Sequence, residues 1–222
     1  MLKKDEKEFI FKNIFSSYNK KVVNESYGNF FYGLVTMMDP KLIVELGTCK
    51  GYSSIHMGLG LKECDSGGVI ECYDLWDADD KKTNFHDEQK GMHLTSNVEE
   101  FKQTLDKLNL NDYVSCHTKE AFSVLKDYEE NSVDIIHIDI GNCGEVLQKV
   151  IEDVKFCLKP EGILIFEGGA DYRDQVGWMK KYNKKKIKKV LETDETVKES
   201  FEKLTFSVYP SVTLLKLRSQ YE

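Results

Sequence analysis

The sequence predicts an α/β protein with three layers, in which helices cover both faces of a seven-stranded, mainly parallel sheet. The first observation is that short apolar runs alternate with helical patterns from residue 41 onward. This order is typical of parallel strands joined by crossover helices. The second observation is that two extended runs close the sequence on either side of Pro210-Ser211, with no helix between them. Consecutive strands joined by a short turn pair antiparallel, so the sheet should end in a terminal antiparallel hairpin.

The elements follow one another in a regular order. Two aromatic-rich helical patterns come first and end at Asp39-Pro40, because proline disfavours a helical conformation in the residue before it. Each later strand is an apolar run bounded by glycine, proline or polar residues. The predicted strands cover 42–46, 68–75, 113–117, 133–139, 162–167, 204–209 and 212–217. The predicted helices cover 5–18, 25–38, 52–61, 97–109, 120–127, 144–157 and 172–192. No linker divides the chain, so residues 1–222 are predicted to form one domain, with 1–40 as a helical extension.

Composition restricts the classes of protein to consider. The 222 residues are 41% hydrophobic and 31% charged, as in soluble globular proteins, and the net charge of −7 disfavours nucleic acid as a partner. No apolar run approaches the roughly 20 residues of a membrane span, and the N-terminus lacks the apolar core of a signal peptide. We therefore expect a cytoplasmic protein without a membrane partner. The six cysteines are scattered and form no C-x-x-C pair, which predicts reduced thiols.

The most informative segment is a glycine-containing turn between the first strand and the next helix. It reads Ile43-Val44-Glu45-Leu46-Gly47-Thr48-Cys49-Lys50-Gly51. Glycines permit a sharp turn and a close approach of the backbone to a ligand, and the following helix presents free N–H groups. A dinucleotide fingerprint needs glycine where this chain has Cys49 and Tyr52, which disfavours a nicotinamide oxidoreductase. The pattern E-x-G-x-x-x-G instead resembles motif I of class I S-adenosylmethionine-dependent methyltransferases.

Three further marks support the same resemblance. Strand two ends in an acid, Asp74, whose two oxygens suit the hydroxyls of a ribose. The stretch 133–142 contains I-H-I-D and resembles the D-x-I-H-I-D-G segment of small-molecule and sugar O-methyltransferases of the macrocin and catechol types. An L-K-P-x-G turn precedes strand five at 158–162. The resemblance covers about residues 40 to 218 and implies a Rossmann-like methyltransferase fold and S-adenosyl-L-methionine as cofactor.

The resemblance also implies a set of cofactor-binding residues. The acid before the glycine turn would orient the amino-acid end of the cofactor, the acid after strand two would bind the ribose, and the loop after strand three would flank the adenine. Each position also has a structural interpretation, such as capping of a turn or of a helix. The predicted cofactor-binding residues are Glu45, Gly47, Thr48, Gly51, Asp74, Leu75, Thr118, Lys119 and Asp139.

Two residues are predicted to be catalytic, Asp139 and His86. Asp139 follows strand four, where methyl donor and acceptor should meet. His86 lies in a long polar segment, 77–96, which is predicted to be a substrate lid or else a solvated loop.

In metal-dependent relatives the aspartate equivalent to Asp139 binds Mg²⁺ or Ca²⁺. Asp139 and Glu167, with Asn142 as a further oxygen donor, could hold such a metal here. His137, within strand four, is predicted to be a hydrogen-bonded core residue.

The predicted function is methyl transfer from S-adenosylmethionine to a hydroxyl of a small molecule or sugar. Ile140-Gly141-Asn142 and Glu167-Gly168-Gly169 differ from the polar loops common in metal-dependent relatives. They motivate the alternative of a non-catalytic protein that binds the cofactor or a partner.

The aromatic N-terminal helices could cover the sheet or a second copy in a homodimer. Seven lysines between Lys180 and Lys189 are predicted to form the solvated face of helix 172–192.

Overall fold

The computed structural model describes residues 25–76, 97–208 and 211–218. The predicted helix 5–18, the predicted lid 77–96 and His86 lie outside these residues. The strands are β1 (Leu42–Leu46), β2 (Val69–Asp74), β3 (Val114–Thr118), β4 (Val133–Ile138), β5 (Leu158–Glu167), β6 (Phe201–Phe206) and β7 (Val212–Leu217). The helices are α1 (Glu25–Met38), α2 (Tyr52–Cys64), α3 (Val98–Leu108), α4 (Ala121–Val124), α5 (Gly144–Cys157), α6 (Gly177–Lys181), α7 (Ile187–Thr193) and α8 (Glu195–Ser200). Short 3₁₀ turns occupy Leu125–Asp127 and Arg173–Gln175.

The seven strands form one sheet in the order β3-β2-β1-β4-β5-β7-β6. The first five strands of the sheet pair in parallel. Strand β7 pairs antiparallel with both β5 and β6. The prediction of a mainly parallel seven-stranded sheet with a terminal antiparallel hairpin is therefore confirmed. The chain reverses its direction of winding between β3 and β4, so β1 and β4 meet at the switch point where open α/β sheets bind ligands.

Alternate residues of the central strands point into two separate cores. Ile43, Ile135 and Ile165 pack with α1, α2 and α3 on one face. Val44, Ile136 and Leu164 pack with α5, α6, α7 and α8 on the other. Since side chains alternate along a strand, an apolar residue at every position is what a sheet covered on both faces requires. Burial of both faces fixes the register and so fixes which residues meet at the edges of the sheet.

The predicted helix 172–192 is wrong, because the chain breaks there into a 3₁₀ turn and the helices α6 and α7. The side chain of Asp174 is buried and accepts the backbone N–H groups of Ile187, at 2.9 Å, and Lys188, at 3.0 Å. Asp174 thus caps the first N–H groups of α7 and holds the start of this helix against the 3₁₀ turn. One continuous helix cannot form, because a helix residue cannot also cap a helix that begins later in the same segment. The apolar residues of the segment are still buried: Met179, Ile187, Val190 and Leu191.

Two strands differ from their predicted bounds by more than one residue. Strand β6 occupies Phe201–Phe206 rather than 204–209, because α8 ends at Ser200 and leads directly into it. Strand β5 begins at Leu158 rather than at residue 162, and its pairing with β4 shifts register between Val133 and Ile135. The proline and glycine of the L-K-P-x-G segment lie within this irregular stretch, which is a common location for both residues in a strand. Within the described ranges, no helix has the length and hydropathy needed to cross a membrane.

Candidate functional site

A glycine and two acids meet at the carboxyl edge of the sheet. Leu46 pairs with Ile138, and Ile138 pairs with Phe166. The next residue on each strand is therefore Gly47 on β1, Asp139 on β4 and Glu167 on β5. Adjacent strands lie about 4.8 Å apart, so these three positions are immediate neighbours. The fold thus brings together the glycine turn and the two acids that were predicted to lie in the active-site region.

The glycine turn requires glycine for two separate reasons. Gly47 has a φ of 89°, and a Cβ atom there would lie 2.7 Å from the backbone carbonyl of Asp139. Gly51 has a φ of 77°, and a Cβ there would overlap the ring of Phe101. Left-handed conformations of this kind carry little strain only for glycine. The turn is therefore held tightly against the end of β4 and against α3.

Asp74 braces this turn from the neighbouring strand. One carboxylate oxygen accepts the backbone N–H of Cys49 at 2.6 Å, and the other accepts the N–H of Trp76 at 3.1 Å. The capping contact is thus present, and the ribose role stays a prediction. The two are compatible, because each carboxylate oxygen can accept more than one hydrogen bond. An acid at this position holds the loop in shape and presents negative charge beside it.

Glu45 is fully buried and lies at the centre of a polar cluster beneath the turn. Its carboxylate accepts hydrogen bonds from Ser53 and Ser54 of α2 and lies 2.9 Å from Nδ1 of His137. Burial alone raises the pKa of Glu45, but the hydrogen bond and charge of His137, together with the two serines, outweigh it and the pKa is lowered. Burial alone lowers the pKa of His137, but Glu45, Asp139 and Glu167 outweigh it and the pKa is raised. Both shifts favour the charged forms, so Glu45 and His137 form a buried ion pair at pH values below the raised pKa of His137, and this pair ties β1 to α2 and β4.

This cluster defines what Glu45 and His137 contribute to the site. His137 is 1% exposed, as predicted for a core histidine, and its ring packs edge-on against Phe31 at a centroid distance of 5.0 Å. Glu45 has no exposed surface, so its contacts to the turn run through α2 and β4. The two serines had no predicted role. A hydroxyl pair in the first turn of α2, eight and nine residues after a buried acid, was the available signal.

Two features of the turn suit a polar ligand. The hydroxyl of Thr48 is buried and has no hydrogen-bond partner within the described part of the chain. Helix α2 follows the N-cap residue Gly51, which has no side chain to accept a hydrogen bond from the first N–H groups of the helix. A helix N-terminus of this kind attracts anionic groups such as a carboxylate. Gly47, Thr48 and Gly51, which were predicted to bind the cofactor, therefore form a turn with an unpartnered hydroxyl and a helix N-terminus, and their contact with the cofactor stays a prediction.

The predicted adenine side lies on the next strand. Thr118 pairs with Asp74 in the sheet, and the N–H of Lys119 donates to the carbonyl of Asp74 at 3.2 Å. The ammonium group of Lys119 forms an ion pair with Asp127, so its backbone, rather than its charge, contacts the Asp74 segment. Leu75 is half-buried beside them. These residues are brought together, and their contact with adenine stays a prediction.

Trp76 also belongs to this segment, although no role was predicted for it. Its ring is 6% exposed and stacks on Phe101 at a centroid distance of 5.7 Å. Its Nε1 donates to the carbonyl of His117 at 3.2 Å. The indole therefore fixes the chain that leaves β2 against both α3 and the end of β3.

Asp139 lies directly after β4, beside the glycine turn. The residue is exposed to solvent, although protein atoms surround its carboxylate closely. This crowding, followed by the negative charge of Glu167, raises the pKa of Asp139 to about 7, against lowering contributions from His137 and the side chain of Asn142. A carboxylate with a pKa near neutrality can accept a proton from a substrate and release it to solvent.

Glu167 forms an ion pair with Arg173. Its Oε1 accepts a hydrogen bond from Nη2 of Arg173 at 2.8 Å, and both side chains are largely buried, at 14% and 12% exposure. Arg173 was not predicted as a site residue, because it lies in a segment predicted to be a long helix. The signal available was an arginine six residues after the acid that ends β5.

An aromatic group of α1 lies near the two acids. Tyr27 of α1 packs against Phe31 at a centroid distance of 5.0 Å and stacks on Tyr52 at 6.1 Å. Burial, followed by the charges of Glu167 and Asp139, raises the pKa of Tyr27 well above its usual value. The phenol therefore lies within electrostatic range of both acids. The aromatic face of α1 was predicted to pack, and Tyr27 also borders the site.

The ligand set for a metal is poor in the part of the chain that the structure describes. Asp139 and Glu167 are brought together as predicted, but no group of three or more His, Cys, Asp or Glu side chains there is arranged to hold a cation. Glu167 is already paired with a guanidinium, whereas Asn142 donates to Asp139 through its amide N–H and keeps a buried Oδ1 without a partner in the described ranges. One unpaired amide oxygen beside a carboxylate already bound to arginine fits a Mg²⁺ or Ca²⁺ site poorly, because such a site prefers several free oxygen ligands.

Comparison with known proteins agrees with this arrangement. Residues 44–167, more than half of the chain, match a family described as a methyltransferase domain. This range begins in β1 and ends at Glu167, so it contains the turn, Asp74 and both acids. No curated protein matches the chain.

Solved structures share the fold at low sequence identity. A methyltransferase from Geobacter sulfurreducens has 17% identity and a TM-score of 0.60, over 96% of this chain and 86% of that one. An O-methyltransferase from Bacillus cereus, in complex with SAH, has 17% identity and a TM-score of 0.64, over 98% and 93%. The O-methyltransferase TomG from Streptomyces achromogenes, in complex with SAM and involved in tomaymycin synthesis, has 12% identity and a TM-score of 0.62, over 99% and 92%.

Proposed function

The chain belongs to the methyltransferase-domain family, and from this premise we propose that it is a class I enzyme that transfers the methyl group of S-adenosylmethionine to a hydroxyl of a small molecule. The observation that carries the proposal is the contact between the glycine turn and β4. Gly47 lies against the carbonyl of Asp139, so a ligand on the turn would have its reactive end beside that acid. The O-methyltransferases of similar fold support a hydroxyl as the acceptor group.

The cofactor supplies a methyl group bonded to a positively charged sulfur, which is open to in-line attack by a nucleophilic oxygen. In our proposal the turn from Gly47 to Gly51 and the N-terminus of α2 bind its amino-acid end, with the hydroxyl of Thr48 as an additional partner. Asp74 accepts the ribose hydroxyls while it braces the turn. Leu75, Thr118 and Lys119 border the adenine. Glu45 acts beneath the turn, since its buried pairing with His137 holds the turn in position.

Asp139 is the proposed general base. Its carboxylate takes the proton of the acceptor hydroxyl as the oxygen–carbon bond forms and the sulfur–carbon bond breaks. The enzyme's main contribution is the alignment of the two reactants, which removes much of the entropy cost of their encounter. His86 remains a predicted alternative base outside the described residues. A homodimer likewise stays a prediction.

Calorimetric titration with S-adenosylmethionine and S-adenosylhomocysteine tests the cofactor assignment. We expect both to bind. At about 100 times the dissociation constant, ligand adds about 2.7 kcal/mol to the free energy of unfolding, a rise of roughly 5–10 °C in Tm. In Asp74→Ala, the same concentration of either compound should leave Tm unchanged. Asp112→Ala, which removes an exposed acid, is the matched control.

The reaction is tested by incubation with S-adenosylmethionine and a panel of catechols and sugars, with S-adenosylhomocysteine production as the readout. Release of S-adenosylhomocysteine that depends on the acceptor and is lost in Asp139→Asn supports the proposal. Absence of binding by either adenosyl compound would refute the cofactor assignment. Tight binding without transfer to any hydroxyl would refute the O-methyl part and favour the non-catalytic alternative.

A further inference from the structure

The carboxyl ends of β4 and β5 carry an unusual balance of charge. Asp139 and Glu167 follow the paired residues Ile138 and Phe166, so two carboxylates lie on adjacent strands. Adjacent strands lie about 4.8 Å apart and the two residues follow a directly paired position, so their carboxylates are close enough to repel one another. A pair of this kind needs a neighbouring positive charge or a shared proton to be stable.

The positive charge in this region comes from the protein itself. Arg173 reaches back from the 3₁₀ turn after β5, and its Nη2 lies 2.8 Å from Oε1 of Glu167. At 12% and 14% side-chain exposure the two groups are only weakly hydrated, so their attraction is stronger than that of a surface ion pair. A guanidinium is always charged and presents five N–H donors in a rigid plane. It can therefore hold a carboxylate and bind a further oxygen.

The same contact disfavours a divalent cation. A metal at Asp139 and Glu167 would have to displace Arg173 from Glu167 or tolerate a guanidinium within a few ångströms. Displacement would leave a largely buried charge without its partner, which is costly. Asn142 donates to Asp139 through its amide N–H and keeps a buried Oδ1 without a partner in the described part of the chain, but this one neutral oxygen does not replace a carboxylate paired with a guanidinium.

We propose that the Arg173 guanidinium, positioned by Glu167, takes the place of a divalent cation in this site and binds the acceptor oxygen. The inference rests on the proposed function. The guanidinium stabilises negative charge as it develops on that oxygen, as cationic side chains do in other active sites. The hydroxyl proton passes to Asp139, the oxygen–methyl bond forms, and the sulfur keeps the electron pair of the broken bond. Arg173 keeps its proton throughout, and no divalent cation is required.

The direct test measures Mn²⁺ binding, from the electron paramagnetic resonance signal of free Mn²⁺, and needs no methyl acceptor. Wild type should bind no Mn²⁺ at this site. Arg173→Gln removes the charge and exposes two neighbouring carboxylates, so it should bind one Mn²⁺, and adding Asp139→Asn should abolish that binding. Arg173→Lys keeps the charge and should bind none. Arg218→Ala, an exposed arginine outside the site, is the matched control.

Two results would overturn the proposal in this assay. One is a Mn²⁺ ion bound to wild type and lost in Asp139→Asn. The other is a folded Arg173→Gln protein that binds none, since Arg173 would then not be what excludes the cation. If Arg173→Gln fails to fold, the wild-type titration and the chelator assay below still decide the matter.

The second test uses any acceptor that the enzyme methylates. Saturating EDTA should leave the wild-type rate unchanged. Arg173→Gln should lower kcat about 100-fold or more, the usual effect of removing an electrostatic stabiliser, while S-adenosylhomocysteine affinity stays within about threefold. Arg173→Lys should recover part of the loss. Loss of wild-type activity in EDTA would refute the proposal. Failure to bind S-adenosylhomocysteine at all would instead refute the proposed function, so the two failures are distinguishable.

Discussion

Replacement of Glu45 by glutamine tests the buried cluster beneath the glycine turn. Glu45 has no exposed surface, and its carboxylate contacts Ser53, Ser54 and the ring of His137. Glutamine keeps the shape of the side chain but loses its charge, so His137 loses the partner that stabilises its protonated form. The substitution therefore removes the charge and one of the two acceptor oxygens while it leaves the packing of the cluster in place.

The expected cost follows from these contacts. Breaking a buried ion pair by removal of one partner costs about 3–5 kcal/mol. Because the amide introduced by Glu45→Gln would keep part of the hydrogen bonding, we expect the lower end of this range, about 3 kcal/mol near pH 6. In a chain of this length, 1 kcal/mol corresponds to about 2–4 °C, so Tm should fall by about 6–12 °C.

The difference should also depend on pH. The pKa of Glu45 is lowered from its ordinary value of 4.5, so its contribution is present above that pH and is lost as the pH falls through the folded-state pKa. The pKa of His137 is raised from 6.5, so its contribution is complete below that pH and is lost as the pH rises through the folded-state pKa. The Tm difference should therefore be largest between about pH 4.5 and 6.5 and should shrink toward pH 9.

Scanning calorimetry of wild type and Glu45→Gln at pH 5.5, 7 and 9 provides the measurement. Glu130→Gln, an exposed position with the same change in charge, should leave Tm within about 1 °C of wild type. If Tm differs by less than about 2 °C at pH 5.5, or if the difference grows toward pH 9, the assignment of a buried ion pair is wrong.

Three further predictions concern the turn and the acids beside it. Gly47→Ala places a Cβ 2.7 Å from the Asp139 carbonyl at a φ of 89°, so S-adenosylhomocysteine affinity measured by calorimetry should fall at least about tenfold, which corresponds to 1.4 kcal/mol. Asp74→Asn keeps an acceptor oxygen but loses the charge that receives the N–H groups of Cys49 and Trp76, so affinity should fall less than in Asp74→Ala; equal losses would contradict the bracing role. Asp139→Asn removes a carboxyl whose pKa is raised to about 7, a shift that destabilises wild type increasingly as pH rises from about 4 to 7. The Tm of Asp139→Asn relative to wild type should therefore be higher at pH 8 than at pH 4.5, and a difference independent of pH would contradict it.

The sheet was predictable because its signal is local. Residues 42–46 and 133–139 are short apolar runs with helical patterns beside them, and a pattern of this kind depends only on neighbours in the sequence. The segment 172–192 was not predictable in the same way. Its apolar spacing fitted one helix, but the break comes from Asp174, which caps a helix that begins thirteen residues later in the chain. The helical tendency of this segment is overridden by hydrogen bonds to Asp174 that only the folded chain can form.

Some residues of the site could be placed from the sequence, and others could not. Gly47, Gly51 and Asp74 could be placed from spacing alone, since strand ends that share an edge of a parallel sheet must converge. Arg173 could not be placed, because its pairing with Glu167 depends on how the chain turns after β5. The capping role of Asp74 was one of two interpretations of the sequence, and the contact to Cys49 decides that it is at least present.

The sequence by itself determined the order of the strands, the glycine turn and the family, since each of these follows from local pattern and residue type. Only the tertiary structure decided the state of the charges: that Glu45 is buried against His137, that Glu167 is paired with Arg173, and that Asp139 has a pKa near 7. The physical reason is that charge and hydration depend on which groups lie nearby in space. Residues from different strands and turns supply those neighbours, and no local pattern in the chain records them.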